Sequence, residues 1–145
     1  FRRAIFMNPR LFAFYGPLLP LDAHFAIGNF MASIVAKKEI SIKGSPNTVR
    51  SYLHAADLAS TIIKMMSQPE AGPFNIGSET EVTMLELAKM MTDILAKENK
   101  IEVINSQEPS YYVPSTSRTF AKYGVIESIE FQKGIRDWYQ WILEN

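Results

Sequence analysis

Arg50 stands at the head of Arg50-Ser51-Tyr52-Leu53-His54, just after a turn at Gly44-Ser45-Pro46-Asn47. A guanidinium placed there can grip two oxygens of a carboxylate or phosphate group at once through its planar fork. Composition alone would leave it a surface charge, as most arginines are. Ser41 and Lys43 share one face of an alternating Ile-Ser-Ile-Lys segment, with Ile40 and Ile42 on the other face. Asp22 and His24 stand in one loop. A His-carboxylate pair can transfer protons, and it can equally well just tie a loop together. The chain has no cysteine and two histidines. That excludes disulfides, thiolate catalysis and cysteine-ligated metals, and leaves too few imidazoles for a histidine-rich zinc site.

These residues need elements to hold them. Arg10 to Tyr15 is an apolar, aromatic run that stops at Gly16-Pro17, and it predicts a buried strand. Residues 16–22 hold two prolines, Pro17 and Pro20, and read as a loop. Ile27, Phe30, Met31, Ile34 and Val35 recur at helical spacing, which predicts a helix over 25–37. Ile40 to Lys43 predicts a strand, and so does Val49 to Leu53. Asp57 falls in the first turn of a helix running to about Gln68, where an acid complements the helix dipole. Phe74-Asn75-Ile76 predicts a brief strand closed by Gly77. Thr83 and Glu86 form a capping box for a helix that turns Leu87, Met91, Ile94 and Leu95 inward. Ile101 to Ile104 predicts a strand. Ser115 is placed to cap a short helix ending at Gly124, and Ser128 to cap a last helix striped by Ile135, Trp138, Tyr139 and Ile142. The seven methionines read as core filler at helical spacing.

Strands alternate with helices, so the class is α/β. The 145 residues suffice for one domain with a core and are few for two. Hydrophobic residues make up 47% and charged residues 21%, which is globular composition. Fifteen basic residues balance fifteen acidic ones, so no basic excess points to nucleic acid. No apolar run reaches the roughly 18 residues of a membrane span. Without a signal peptide at the N-terminus, the expected location is cytoplasmic. The chain opens on Phe1, which suggests a processed or truncated product, a fragment of something longer.

Six segments, in order, resemble the extended short-chain dehydrogenases, the NAD-dependent nucleotide-sugar epimerases and dehydratases. They are Arg10-Leu11-Phe12-Ala13-Phe14-Tyr15-Gly16-Pro17, Ile27-Gly28-Asn29-Phe30, Ile40-Ser41-Ile42-Lys43-Gly44, Arg50 to Ala59, Phe74-Asn75-Ile76-Gly77 and Tyr112-Val113-Pro114-Ser115-Thr116. The resemblance is to the C-terminal, substrate-binding half of the family. It implies the last strand or strands of a Rossmann-like sheet, with residues 1–20 as its remnant, plus a small mixed α/β nucleotide-sugar-binding domain. The whole of 1–145 is then one substrate-binding portion, and the dinucleotide-binding half is missing. The Gly-x-x-Gly-x-x-Gly turn and the Tyr-x-x-x-Lys pair of the family are absent from this sequence. It supplies no catalytic residue, and the chain alone is expected to be inactive.

The resemblance further implies roles. Arg50 would contact the pyrophosphate of a nucleotide-diphosphate sugar. Asn29 would reach the phosphates, and Phe30 would line the nucleotide site through its backbone. Ser41 and Lys43 would hold the base, although an apolar or aromatic residue is common where Lys43 stands. Tyr112 would lie near the substrate. Phe12 would lie near the nicotinamide of NAD, a cofactor bound mainly by the missing half. Ala13 stands where the family often has an Asn whose amide touches substrate. His54 and Asp57 read as structural. Residues 105–110 hold no Arg, so a second phosphate contact from that loop is not expected. The intact protein would be a homodimer that oxidises a sugar carbon and then epimerises or dehydrates it. Two other readings stay open: a free-standing binding or interaction domain, and an NAD-binding sensor that kept the scaffold.

Overall fold

The computed structural model describes residues 4–105, 107–124 and 127–145. The first three residues of the 1–20 segment, and Ser106 of the 105–110 loop, lie outside the described residues. The chain runs β1 (Met7–Leu11), β2 (Phe14–Tyr15), α1 (Ala26–Val35), β3 (Ile40–Lys43), β4 (Val49–Arg50), β5 (Leu53–His54) and α2 (Ala55–Ser67). It continues with β6 (Gly72–Ile76), β7 (Val82–Thr83), α3 (Met84–Ile94), β8 (Ile101–Asn105), β9 (Tyr111–Tyr112), α4 (Ser117–Tyr123) and α5 (Phe131–Glu144).

The class is α/β. Parallel pairing dominates: β1 with β6, β2 with β5, β3 with β8 and β4 with β9. Only β4 and β7 pair antiparallel among the described strands. Two apolar clusters support these ladders. The larger gathers α1, α3, α5 and β3 around Ile27, Met31, Leu87, Met91, Ile135 and Trp138. The smaller joins Leu53, Met65, Phe74, Ile76 and Tyr123 beneath the β1–β6 pair.

The local signals that needed no distant partner are where the sequence places them. The helical stripe of α1 is buried at Ile27, Phe30, Met31 and Ile34. The capping box closes at both ends: Glu86 N–H donates to Thr83 Oγ1 at 3.2 Å, and Thr83 N–H donates to the Glu86 carboxylate at 2.9 Å. Gly124 ends α4 at φ +82°. Gly28 is required by close approach, since a Cβ there would lie 2.9 Å from the Pro20 carbonyl.

Four expectations are corrected. The single buried strand over 10–15 is two strands broken at Phe12-Ala13, and its first half is exposed, with Leu11 46% accessible. The break lets the Ala13 carbonyl accept from Leu53 N–H at 3.1 Å, so the segment changes partner from β6 to β5. The strand over 49–53 is likewise two, because β4 joins β7 and β9 whereas β5 joins β2. Ser115 does not cap α4: Thr116 holds the N-cap position, and Glu79 takes its N–H and hydroxyl. Ser128 does not cap α5, which starts after Glu130; its hydroxyl and N–H go to Asp57 instead.

Candidate functional site

In an open α/β sheet, ligands bind beyond the carboxyl ends of the parallel strands. Phe12 directly follows β1, and Gly77 directly follows β6. The two meet there. A Cβ on Gly77 would fall 2.9 Å from Phe12 Cβ and 2.9 Å from Pro114 Cγ, so glycine lets the Phe12 and Pro114 side chains pack directly on the chain at 77. Glu79 keeps the Pro114 segment in place by accepting from Thr116 N–H at 2.5 Å and Thr116 Oγ1 at 2.9 Å. Those two bonds hold the Glu79 carboxyl below its ordinary range.

Tyr112 then stacks on Phe12, ring centroids 4.7 Å apart and planes within 24°. Arg50 lies opposite Tyr112 in the β4–β9 register, its guanidinium carbon 6.0 Å from the Tyr112 ring centre. Phe12, Arg50 and Tyr112, far apart in sequence, form one half-open cluster. Arg50 donates from Nη1 to the Val49 carbonyl at 2.7 Å and to the Ser110 carbonyl at 3.2 Å, and from Nη2 to Ser110 Oγ at 2.9 Å. All three acceptors are neutral, and no ion pair among the described residues engages Arg50. Its charge is therefore oriented and uncancelled. Burial pushes the neighbouring Tyr52 hydroxyl up to about 12, against the pull of the Arg50 charge, so Tyr52 is a neutral core phenol near neutral pH.

The remaining expected residues are dispersed. Asn29 is exposed on α1. Phe30 is 3% accessible as a whole residue and packs in the larger core. Ser41 is half-buried and Lys43 exposed, on the face of β3 away from Ile40 and Ile42, with a register shift between Ile42 and Lys43. Ala13 is half-buried. Asp22 and His24 are both exposed, and no hydrogen bond among the described residues joins them. Among the described residues no cluster of three or more metal-ligating side chains occurs. A shallow depression of about 320 Å³ lined by Glu81, Val82, Glu86, Lys89, Met90 and Asp93 contains none of the expected residues.

His54 and Asp57 are structural. His54 Nδ1 accepts from Ala56 N–H at 3.2 Å and so caps α2. Burial lowers the His54 pKa, with Asp57 and Asp137 pulling the other way. Asp57 accepts from the Ser128 hydroxyl and from the N–H groups of Ser128 and Ile129, the latter two at 2.9 Å. Burial pushes its carboxyl up, but those hydrogen bonds outweigh burial and hold it low. Sequence reasoning missed Ser110, which stands between Pro109 and Tyr111 with no motif to mark it. It also missed Glu79 and the Tyr111 hydroxyl, which donates to Glu81 at 2.5 Å and ties β9 toward β7.

The family model for NAD dependent epimerases and dehydratases matches residues 3–77, slightly more than half of the chain. The chain belongs to that family. Within it, UDP-glucuronic acid decarboxylase 4 of Arabidopsis thaliana is 34% identical over 93 residues, covering 64% of this chain and 21% of that protein. UDP-glucuronic acid decarboxylase 1 of the same plant is 28% identical over 128 residues, 87% of this chain and 29% of that protein. The chain thus spans less than a third of the length of these two relatives. Among solved structures, the dTDP-glucose 4,6-dehydratase of Bacillus anthracis in complex with NAD superposes with a TM-score of 0.84 at 21% identity, over 96% of this chain and 44% of that one. The UDP-glucuronic acid 4-epimerase of Bacillus cereus, in complex with UDP-glucuronic acid and NAD, gives 0.81 at 19% identity, over 94% and 44%. The epimerase/dehydratase fold is shared along nearly the whole of residues 1–145. No helix among the described residues is long and apolar enough to cross a membrane.

Proposed function

We propose that residues 1–145 are the nucleotide-sugar-binding portion of an NAD-dependent epimerase/dehydratase, with residues 1–20 belonging to the cofactor-side sheet. The observation that carries this reading is the Arg50 guanidinium, oriented by neutral oxygens, uncancelled, and set beside the Phe12–Tyr112 stack at the carboxyl ends of β1 and β6. A diphosphate brings the negative charge that this arrangement lacks. The plant relatives named as UDP-glucuronic acid decarboxylases support a uridine nucleotide.

In this reading Arg50 grips the pyrophosphate, Asn29 adds a polar contact to it, and the Ser41 and Lys43 face of β3 holds the base. Tyr112 walls the sugar side. Gripping the nucleotide fixes where the sugar lies, which lowers the entropy cost of the reacting geometry. Phe12 fits NAD as one ring wall at a strand end, while the glycine turn that would cradle its pyrophosphate is not in this sequence. With Phe12 as one wall of its site, NAD would supply reversible hydride acceptance at the sugar carbon. This chain's share is substrate grip and one wall of the cofactor site.

Titration calorimetry of the chain with UDP tests the reading. A hydrogen bond to a charged group contributes about 1.5–3 kcal/mol, and each 1.4 kcal/mol is tenfold, so Arg50→Ala should weaken UDP binding by about ten- to a thousandfold. Arg50→Lys should recover part of that, because an ammonium keeps the charge and loses the fork. Equal UDP affinity in the wild type and in a folded Arg50→Ala would overturn it.

A further inference from the structure

Arg50 is aimed by one residue 60 positions away. Both oxygens of Ser110 fill one edge of its guanidinium fork: the carbonyl takes Nη1 at 3.2 Å, and the hydroxyl takes Nη2 at 2.9 Å. Ser110 is itself anchored on both sides. Its N–H donates to Thr48 Oγ1 at 3.3 Å, and its carbonyl also accepts from Val49 N–H at 2.9 Å. The Val49 carbonyl takes Nη1 as well, at 2.7 Å. A guanidinium has five N–H donors in a fixed plane. These three bonds leave Nε–H and one Nη2 hydrogen, which lie side by side on the other edge and suit two oxygens of one phosphate.

We propose that Ser110 is a positioning residue: it turns the free edge of Arg50 toward the diphosphate while leaving the charge uncancelled. The proposal rests on the reading of Arg50 as the pyrophosphate grip. The chemistry of the hydroxyl is what matters. A carboxylate at 110 would hold the same edge harder and neutralise it. An alanine would leave the carbonyl bonds and free Nη2. A threonine would keep the hydroxyl.

The test measures UDP affinity by calorimetry, and melting temperature in parallel, on the full chain. Loss of one hydrogen bond that orients a charge should make Ser110→Ala about three- to tenfold weaker for UDP. Ser110→Thr should stay within about twofold of wild type. Ser110→Asp should weaken UDP more than Ser110→Ala, while its melting temperature holds or rises, because the new ion pair ties β4 to β9 and cancels the Arg50 charge. A merely structural staple would behave oppositely, with Asp binding as well as Ser. In an Arg50→Ala background, Ser110→Ala should change UDP affinity less than about twofold, since nothing remains to be aimed.

The outcomes separate the two claims. If Arg50→Ala weakens UDP but Ser110→Ala binds like wild type, or Ser110→Asp binds like wild type, or the Ser110→Ala loss persists without Arg50, the positioning role is overturned and the Arg50 reading stands. A wild-type chain that does not bind UDP, or an Arg50→Ala variant that binds it unchanged, overturns the Arg50 reading and the Ser110 role with it.

Discussion

Phe12 and Arg50 are half-buried beside an exposed Tyr112, whereas Tyr15, a few residues further along, is fully buried with His54 packed on its edge. At the closed end every ring is packed. Tyr15 is 1% accessible, with His54 edge-on at 5.2 Å, Phe131 at 5.2 Å and Trp138 at 6.1 Å. A Cβ on Gly134 would collide with the Tyr15 hydroxyl, so α5 rests directly on that ring. At the open end the contacts are fewer and one-sided: a single stack for Phe12, neutral oxygens for Arg50. The difference shows how a charge can be kept available. The parallel β2–β5 pair fixes the backbone beside Tyr15 and His54, whereas Phe12 follows β1, paired with β6, and Arg50 lies on β4, paired with β7 and β9.

That contrast breaks first at Trp138, which is fully buried. Removing a buried indole costs about 3–5 kcal/mol, so Trp138→Ala should lose stability on that scale in chemical denaturation, while its folded fraction binds UDP within about twofold of wild type. A folded variant with lost UDP binding and unchanged stability would show that the two ends are not separate.

Asp57 gives the next effect. It anchors the approach to α5 through Ser128 and Ile129. Asp57→Ala leaves those donors unpaired and should cost about 1.5–3 kcal/mol, again with UDP affinity little changed. Unchanged denaturation midpoints would mean that water replaces the carboxylate at no loss.

The smallest effect is a pH dependence confined to the closed end. Only neutral His54 can accept from Ala56 N–H, and burial lowers its pKa below the ordinary 6.5. The unfolded chain then binds the proton more readily, so stability is full above about pH 6.5 and declines as pH falls through the lowered folded value. Asp57, held below 3.8, adds a second decline only under that pH. Denaturation midpoints between pH 7.5 and 5 should slope in the wild type and flatten in His54→Asn, since Asn caps a helix without titrating there. An identical slope in both proteins would assign the effect to another group.

Legibility followed the range of the forces. The α1 stripe, the β3 alternation and the Thr83–Glu86 box are set by neighbours within one turn or one pleat, and all three are where the sequence puts them. The breaks at Phe12-Ala13 and Ser51-Tyr52 are set by which strand lies alongside, and no local pattern carries that. Ser115 and Ser128 have good capping chemistry, but Glu79 and Asp57 reorganise those segments from 37 and 71 positions away. Arg50, Phe12 and Tyr112 were legible as candidates through the family resemblance, while their convergence, and the part Ser110 plays in it, needed the fold.

The long reach of the parallel ladders also bears on how the chain is made. Met7 pairs with Gly72, Ile40 with Ile101 and Val49 with Tyr111, so each first strand waits for a partner roughly sixty residues downstream. At a synthesis rate of about 5–20 residues per second, that wait is several seconds. Until Leu53 emerges, about forty residues after Phe14, the Leu11-Phe12-Ala13-Phe14-Tyr15 run has neither β5 nor β6 to cover it, and until Phe74 emerges its β1 side still lacks β6. The helices close in microseconds from local contacts, but the sheet edges close last. Nascent chains are therefore most vulnerable to self-association before Leu53 and Phe74 emerge, and a chaperone that binds short aromatic segments would find its substrate there.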